Sequence, residues 1–519
     1  MINVLHVAIE YGSAVLGGLG VIATEMVDAQ NKMQRAGREI FAASIITPFY
    51  PHLYRSYADK KLVAEIEHLY NHEMIKSKVY LLQQGKNKHY IIEPPPKYQY
   101  LFNTVASVQQ IYGDYEQNPF IERLKLFNSA VAAYVGNGPI GIHHPDPQIL
   151  QLHDWQAALV PALLKNVYDN DRIKSAFVVH IDNSDSGKYT QESLNGIGLE
   201  LKRPIQLLKA IGMQAADKIV TVSVNLLRES LTHVTDDPDL ELLRKIFVMA
   251  KVQNKAAGIP NGFKYDKYCP LNKYVHDVDN IYAEKQRNKQ ELARRLRGSR
   301  GEWNFDPNLP LFLYVGRYSS GKGTGAFEQL IKATRGRASF VAFGRGMNDD
   351  VFNIVTNYSK QIDNVFVSFS KEEQDELLAL ARASADFIFA PSHAEAFALV
   401  LIEALANGAL CFTTGVGGMR DIIQELNYSD KNNITGNTVV FDDGADGEIN
   451  PSLIFHANRL IDLWNDLTDD QKNRLQTRVL HEAAKFDWQA PGGTLDQYLA
   501  VFNEILPSAT TYPKPSMIK

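Results

Sequence analysis

The chain has 519 residues, 45% apolar and 22% charged, with a formal net charge of −5. This composition excludes a disordered chain, and the even spread of basic residues excludes the concentrated positive field a nucleic-acid partner needs. The length points to two domains of about 200–250 residues each, and two cysteines far apart, Cys269 and Cys411, form neither a disulfide framework nor a metal-ligand pattern.

The chain opens on an apolar run, Ile2–Ile9, that ends in Glu10 and has no basic leader, so it reads as a buried strand rather than a signal peptide. The longest apolar stretch, Phe397–Phe412, is interrupted by Glu403 and Asn407 and is too short and polar to span a bilayer. A cytoplasmic location is expected from these absences.

Strand-like runs follow at Val4–Ile9, Ile40–Ile46, Val79–Leu82, Ile149–Leu152, Phe177–Ile181 and Lys218–Val222. After a polar stretch between Lys264 and Pro310 they resume at Leu311–Val315, Ser339–Phe343, Val365–Phe369, Ala385–Phe389 and Ala409–Thr413. Helical stripes lie between them, such as Ile22, Met26, Ala29 and Met33, or Leu377, Leu378 and Ala381. This alternation predicts two doubly wound α/β domains with parallel sheets, whose ligands bind at the carboxyl ends of strands. The domain boundary is expected near residues 270–280.

Five segments carry possible chemistry. Leu16-Gly17-Gly18-Leu19-Gly20 follows the first strand and precedes a helix, where glycines let the backbone approach a phosphate or sugar; the alternative is a tight turn. In His153-Asp154-Trp155-Gln156, Asp154 can cap a helix while His153 faces the ligand from a strand end. Gly316-Arg317 and Lys322-Gly323 place a planar donor fork and a point charge in one loop; otherwise they are solvated charges. Glu395 and Glu403 bracket the first turns of a helix whose free N–H groups suit an anion. Both carboxylates are expected on one side, Glu395 for sugar hydroxyls and Glu403 for ribose. Gly415-Val416-Gly417-Gly418-Met419 offers backbone amides to a ligand, or is simply a turn.

In order, these segments resemble the glycogen/starch synthase family of the GT-B glycosyltransferase superfamily, over most of the chain. The resemblance extends to Ile46–Pro51, Tyr112–Asp114, Arg123–Ala130, Ala216–Ser223, Gly258–Gly262, Phe486–Trp488 and Tyr498. It implies a retaining hexosyltransferase, moving glucose in the nearest case, of two Rossmann-like domains facing across a deep cleft. Residues 1–272 would form the acceptor-side domain, 273–485 the nucleotide-sugar-binding domain, and 486–519 a segment crossing back to the first. Arg317 and Lys322 would neutralise the leaving diphosphate. Glu395 and the amides of Phe397, Ala398 and Leu399 would hold the donor sugar, and Glu403 the ribose. His153 would contact the transferred sugar, with Gly17, Gly18, Asn261, Gly417 and Gly418 lining the donor site. The resemblance implies no metal and no cofactor, a nucleoside-diphosphate sugar as donor, and a carbohydrate or protein acceptor.

The chain departs from the family pattern at four places. Val15 stands where the family's first loop has lysine, Val21 where an aspartate follows, Ala398 where a glycine follows the first glutamate, and Asp182-Asn183 where a His-Asn pair is expected. Ala398 still offers its amide at negative φ. The leading expectation is an α-1,4-glucan synthase. The same donor chemistry with a protein, small-sugar or other polysaccharide acceptor is a second expectation, and a silent carbohydrate-binding relative is a third.

Overall fold

The computed structural model describes residues 1–53, 59–113, 118–137, 146–180, 187–201, 205–269, 274–300, 305–344, 362–444 and 448–506. Asp114 and the Asp182-Asn183 pair lie outside them. The chain divides into two compact units: Met1–Gly262 with the segment from Trp488 onward, and Phe263–Asp487.

The first unit is built on β1 (Ile2–Val7), β2 (Phe41–Pro48), β3 (Lys61–Tyr70), β4 (Glu73–Gln84), β5 (Asn87–Glu93), β6 (Ile149–His153), β7 (Lys174–Val179), β8 (Lys218–Thr221) and β9 (Ala256–Gly258). Their order across one sheet is β9-β8-β7-β6-β1-β2-β5-β4-β3. From β9 to β5 every pairing is parallel. The connection reverses between β1 and β6, which is the topological switch point where ligands of such sheets bind.

The edge differs from the all-parallel expectation. β4 runs antiparallel to both β3 and β5. The β3–β4 loop is two residues, Asn71 and His72, both at positive φ (50° and 64°), the geometry a tight hairpin requires. In β3 buried and exposed residues alternate only over its second half, so no apolar run marks it.

Helix α1 (Gly18–Lys32) follows the first loop and lays Ile22, Met26 and Ala29 inward, as the stripe predicts. The chain's last described helix, Thr494–Ile505, belongs to this unit too. Trp488 stacks over Gly262, where an added Cβ would sit 2.2 Å from its ring, and its indole N–H donates to Glu25 at 3.3 Å. Thr494 donates to the carbonyl of Pro260, and Asp496 pairs with Arg35 at 2.7 Å.

The second unit carries β10 (Leu311–Val315), β11 (Ser339–Phe343), β12 (Val365–Ser368), β13 (Phe387–Ala390), β14 (Leu410–Thr413) and β15 (Thr438–Val440). The order is β12-β11-β10-β13-β14-β15, all parallel. This is the Rossmann strand order, with its switch point between β10 and β13. Phenylalanines fill its core: Phe312 meets Phe387 at 4.8 Å between ring centroids and Phe412 meets Phe441 at 4.6 Å. The helices that bear on the site are α2 (Asn118–Gly136) in the first unit, then α3 (Ile281–Arg300), α4 (Lys371–Ser384), α5 (Leu399–Leu405), α6 (Pro451–Asp466) and α7 (Asp469–Ala483) in the second, and finally α8 (Thr494–Ile505).

The break between units falls at Gly262/Phe263, ten residues or so before the boundary read from the sequence, and the return falls at Asp487/Trp488. The reason is local bonding. Phe263 N–H donates to Phe486, Tyr265 N–H donates to the Asp487 carboxylate, and Asn407 donates to Tyr268, so the segment after Gly262 is held by the second unit. No described helix is long and apolar enough to cross a membrane.

Candidate active site

In the second unit the switch point brings two loops together. The loop after β10 carries Gly316, Arg317 and Lys322; the loop after β13 carries Pro391 to Ala398. Gly323 sits at φ +66°, and a Cβ there would lie 1.8 Å from the Pro391 carbonyl oxygen, so only glycine lets the loops approach this closely. Across the junction Lys322 Nζ lies 2.5 Å from Glu395 Oε2, both half-buried, and the Ser392 hydroxyl also reaches that carboxylate. Arg317 is exposed at the loop edge, its carbonyl accepting from Tyr314 at 2.6 Å. Burial, with Glu395 nearby, pushes the Tyr314 phenol up, while Arg317 opposes the shift.

The glycine pair after β14 packs against this loop, and the Gly418 amide is taken by it, which corrects the reading of Gly418 as an open amide. Gly418 N–H donates to the Glu395 carbonyl at 2.8 Å. A Cβ on Gly417 would lie 2.0 Å from Glu395 O, and one on Gly418 2.0 Å from Ala396 O. The pair is glycine because the Glu395 backbone lies against it.

Ala398 is also corrected. Its φ is +73°, in the left-handed region, where it caps α5. The family's glycine suits that conformation; alanine holds it against roughly 1–2 kcal/mol of steric cost. The amide chemistry survives: among the described residues, no acceptor takes the N–H of Phe397, Ala398 or Leu399. Glu403, on α5, does not join Glu395. It pairs with Arg382 of α4, whose guanidinium lies over the Tyr268 ring at 5.6 Å. Each glutamate therefore has its own cation. Beside the junction a small pocket is lined by Gly323, Gln329, His393, Thr414, Phe441 and Asp443, with His393 Nδ1 2.6 Å from the Asp443 carboxylate.

In the first unit, Gly17 and Gly18 follow β1 at its switch point, both exposed and with open space where a Cβ would go. The amides of Leu16 and Gly17 are not offered outward. Both donate to the buried Glu10 carboxylate, at 2.6 and 3.1 Å, and Tyr112 donates to its other oxygen. Burial raises the Glu10 pKa, opposed by these three hydrogen bonds. Gly20 is the glycine that packing demands, since its Cβ would meet Glu10 at 2.6 Å.

His153 ends β6, as expected, and is fully buried. Its ring lies in a row of three imidazoles: Nε2 is 2.9 Å from His6 Nδ1 and Nδ1 is 3.0 Å from His180 Nε2. Neighbouring rings stack at 5.2 Å. Burial holds His6 and His180 down at about 4, and His153 well below the usual imidazole range with its two neighbours adding to the effect. All three are therefore neutral at pH 7. Asp154 caps the following turn through Trp155 N–H and also accepts from the His180 backbone. Asn261, after β9, is buried with Oδ1 unpaired among the described residues.

Sequence reasoning missed Glu10, His6, His180, Arg382 and Arg123. Arg123, on α2, is 2% exposed, with Nε and Nη1 unpaired among the described residues. The signal was available for the histidines: polar side chains at alternate positions of apolar strands share a face and must satisfy each other.

Two doubly wound units, each with its loops and charged side chains gathered at a strand-order reversal, define a glycosyltransferase of the GT-B fold. The chain matches the starch synthase catalytic domain over residues 3–245 and the glycosyl transferases group 1 domain over residues 268–446, and it resembles the bacterial glycogen and starch synthases. It is 27% identical to a glycogen synthase of Flavobacterium johnsoniae over 76% of this chain and 79% of that protein, and 25% identical to one of Actinobacillus succinogenes over 97% and 100%. The catalytic domain of starch synthase IV from Arabidopsis thaliana, bound to ADP and acarbose, superposes with a TM-score of 0.76 at 18% identity, covering 97% of this chain and 99% of that one. A sucrose-phosphate synthase from Thermosynechococcus elongatus gives 0.58 at 14% identity over 98% and 100%.

Proposed function

We propose that the chain transfers a glucosyl group from a nucleoside-diphosphate glucose to a hydroxyl of an α-glucan, with retention at the anomeric carbon. The observation that carries this reading is the Lys322–Glu395 pair at the switch point of the second sheet, beside three amides without acceptors among the described residues. A diphosphate entering there takes Lys322 and Arg317 as counter-charges. Glu395, released from Lys322, turns to the sugar hydroxyls together with the amides of Phe397 to Leu399. Glu403, steadied by Arg382, takes the ribose.

The bond from the anomeric carbon to the diphosphate oxygen breaks while the acceptor hydroxyl attacks from the same face and its proton leaves with the diphosphate. Charge separates in the transition state, so cations already in place stabilise it more than they stabilise bound donor. In this reading the cations take the part a metal ion plays elsewhere.

A second reading keeps the donor chemistry and changes the acceptor to a protein or another carbohydrate. It is favoured by Val15 and by the closed state of the first loop, whose Leu16 and Gly17 amides are taken by Glu10. Donor melts and an acceptor screen test both. A nucleoside-diphosphate glucose well above its dissociation constant raises stability by about 1–3 kcal/mol. Glucan extension then supports the first reading, and transfer to another acceptor alone supports the second. No shift with any glucose, mannose or N-acetylglucosamine nucleotide sinks both.

A further inference from the structure

Three loops at the carboxyl ends of the second sheet close into one hydrogen-bonded circuit. The first, after β10, carries Gly321 and Lys322 and runs into the short helix Phe327–Ala333, which bears Gln329. The second, after β13, carries His393 and Glu395. The third, after β15, carries Asp442 and Asp443 and ends at Asn450, the cap of α6. His393 N–H donates to Gly321 O at 3.2 Å, joining the second loop to the first. Its imidazole Nδ1 lies 2.6 Å from the Asp443 carboxylate, joining the second to the third. Asn450 Nδ2 donates to Asp442 O at 2.8 Å, Asn450 N–H donates to Gln329 Oε1 at 2.6 Å, and Gln329 Nε2 donates to Glu448 O at 2.7 Å. These bonds join the third loop to the first segment and close the circuit. The small pocket described above is lined by residues of all three loops.

The backbone of the second loop is held on both sides of His393. Ser392 O accepts from the Thr414 hydroxyl at 2.7 Å, and Glu395 O accepts from Gly418 N–H at 2.8 Å. The Glu395 carboxylate has less support of its own. Its partners are Lys322 at 2.5 Å and, more distantly, the Ser392 hydroxyl at 3.4 Å. A diphosphate that takes Lys322 removes the first of these, so with donor bound the aim of Glu395 depends on its backbone. His393, just before it in the chain, reaches both other loops, one through its N–H and one through its side chain. The His393 and Asp443 side chains are 28% and 36% exposed, and ion pairs open to water add little to global stability. What the pair fixes is local: the position of the backbone that carries Glu395.

We propose that His393 is a positioning residue for Glu395. By tying the second loop to Asp443, it keeps the Glu395 carboxylate aimed at the transferred sugar once the diphosphate has taken Lys322. The proposal rests on the glucosyl-transfer reading above for the sugar, and on the circuit alone for the anchoring. Nδ1 must supply the hydrogen, because a carboxylate offers lone pairs, so an amide NH₂ at the same place can stand in for it.

The test uses the full-length chain. His393→Leu keeps the bulk and removes the donor; His393→Asn places an NH₂ where Nδ1 was. With ADP-glucose and maltoheptaose, His393→Leu lowers kcat about tenfold or more while KM for ADP-glucose stays within about twofold, since a misplaced reacting group weakens the transition state rather than donor binding. His393→Asn returns kcat to within about threefold of the parent. Asp443→Ala lowers kcat as His393→Leu does, and the two combined lower it no further, as residues acting through one bond must. Each variant melts within about 2 °C of the parent, as loss of an exposed pair allows. Hydrogen exchange over residues 391–398, read by mass spectrometry, rises in His393→Leu and not in His393→Asn.

A His393→Leu kcat within about twofold of the parent, a fall confined to KM, or a His393→Asn variant no better than His393→Leu overturns the positioning role. Unchanged exchange in His393→Leu overturns the anchoring. If the parent transfers glucose from no glucose nucleotide to any glucan, the functional reading fails and the role at Glu395 with it, while exchange still decides whether His393 holds the loop.

Discussion

Two glycine pairs, Gly17-Gly18 and Gly417-Gly418, look alike in sequence and behave oppositely in the structure. Replacing Gly418 by alanine puts a Cβ 2.0 Å from Ala396 O, 2.5 Å from Ala396 C and 2.6 Å from Phe397 Cα. All three are backbone atoms, so no side chain can swing aside. The loop must move by an ångström or more, and the 2.8 Å bond from Gly418 to Glu395 goes with it. Overpacking of this kind costs roughly 1–3 kcal/mol, and the lost hydrogen bond adds about 1. The expected loss is about 2–4 kcal/mol, which for a unit of this size lowers Tm by roughly 5–15 °C. Scanning calorimetry of the full chain reads it, with the second unit's transition moving and the first unit's staying. Gly18→Ala is the control: nothing lies within 4 Å of its added Cβ, so Tm holds or rises slightly. If Gly418→Ala melts within about 1 °C of the parent, the Glu395 loop does not rest on this glycine, and the account of the pair is wrong.

Glu395→Gln lowers kcat by about 10² or more, the scale of one preorganised electrostatic group, whereas Glu403→Gln chiefly raises KM for the donor; steady-state kinetics showing the reverse exchanges their roles. Val15→Lys tightens donor binding or raises turnover without unfolding the chain; a neutral or harmful result in a titration means the Glu10-closed loop has been rebuilt for another ligand. Burial lowers Lys285 to about 7, with Asp386 opposing and Lys289 reinforcing the shift, while its ammonium donates to Ala385 O at 2.6 Å. Because the unfolded chain then binds the extra proton, parent stability rises from about pH 7 toward 10, by at most about 1.4 kcal/mol per pH unit. Lys285→Met removes that slope, and equal Tm differences between pH 7 and pH 9 in the two proteins would contradict it.

The parallel cores were legible because their strands are continuous apolar runs: Leu311–Val315 and Ser339–Phe343 coincide with β10 and β11. Strand β3 was not, since its residues are mixed along an edge where one side meets water, and β5 was missed because its buried centre, His89 to Ile92, holds only three apolar residues in a row. Motif residues were found in sequence, yet their working geometry was not. Glycine spacing does not say whether a missing Cβ borders open space, as at Gly18, or makes room for the chain itself, as at Gly418. Nor does a strand-end histidine announce that it faces other histidines; the partners of His153 come from residues 147 positions before it and 27 after. Ala398 shows the limit from the other side: the pattern named the position where glycine belongs, and the φ of +73° gave the physical reason.

The chain's path has a consequence for the order in which the protein can be made. The first unit is not finished by its first 262 residues. It waits for Trp488 to cover Gly262 and reach Glu25, for Asp496 to meet Arg35, and for Glu504 to meet the buried Lys218. All of the second unit leaves the ribosome before these partners do. The unit that begins synthesis therefore ends folding, and during the interval its Gly262 face stands open and the Lys218 ammonium, bonded to Asn254 O, lacks its carboxylate. A ribosome that stalls after Asp487 leaves a second unit with all its residues and a first unit without its closing helix, so early termination damages the far end of the sequence from the one it shortens.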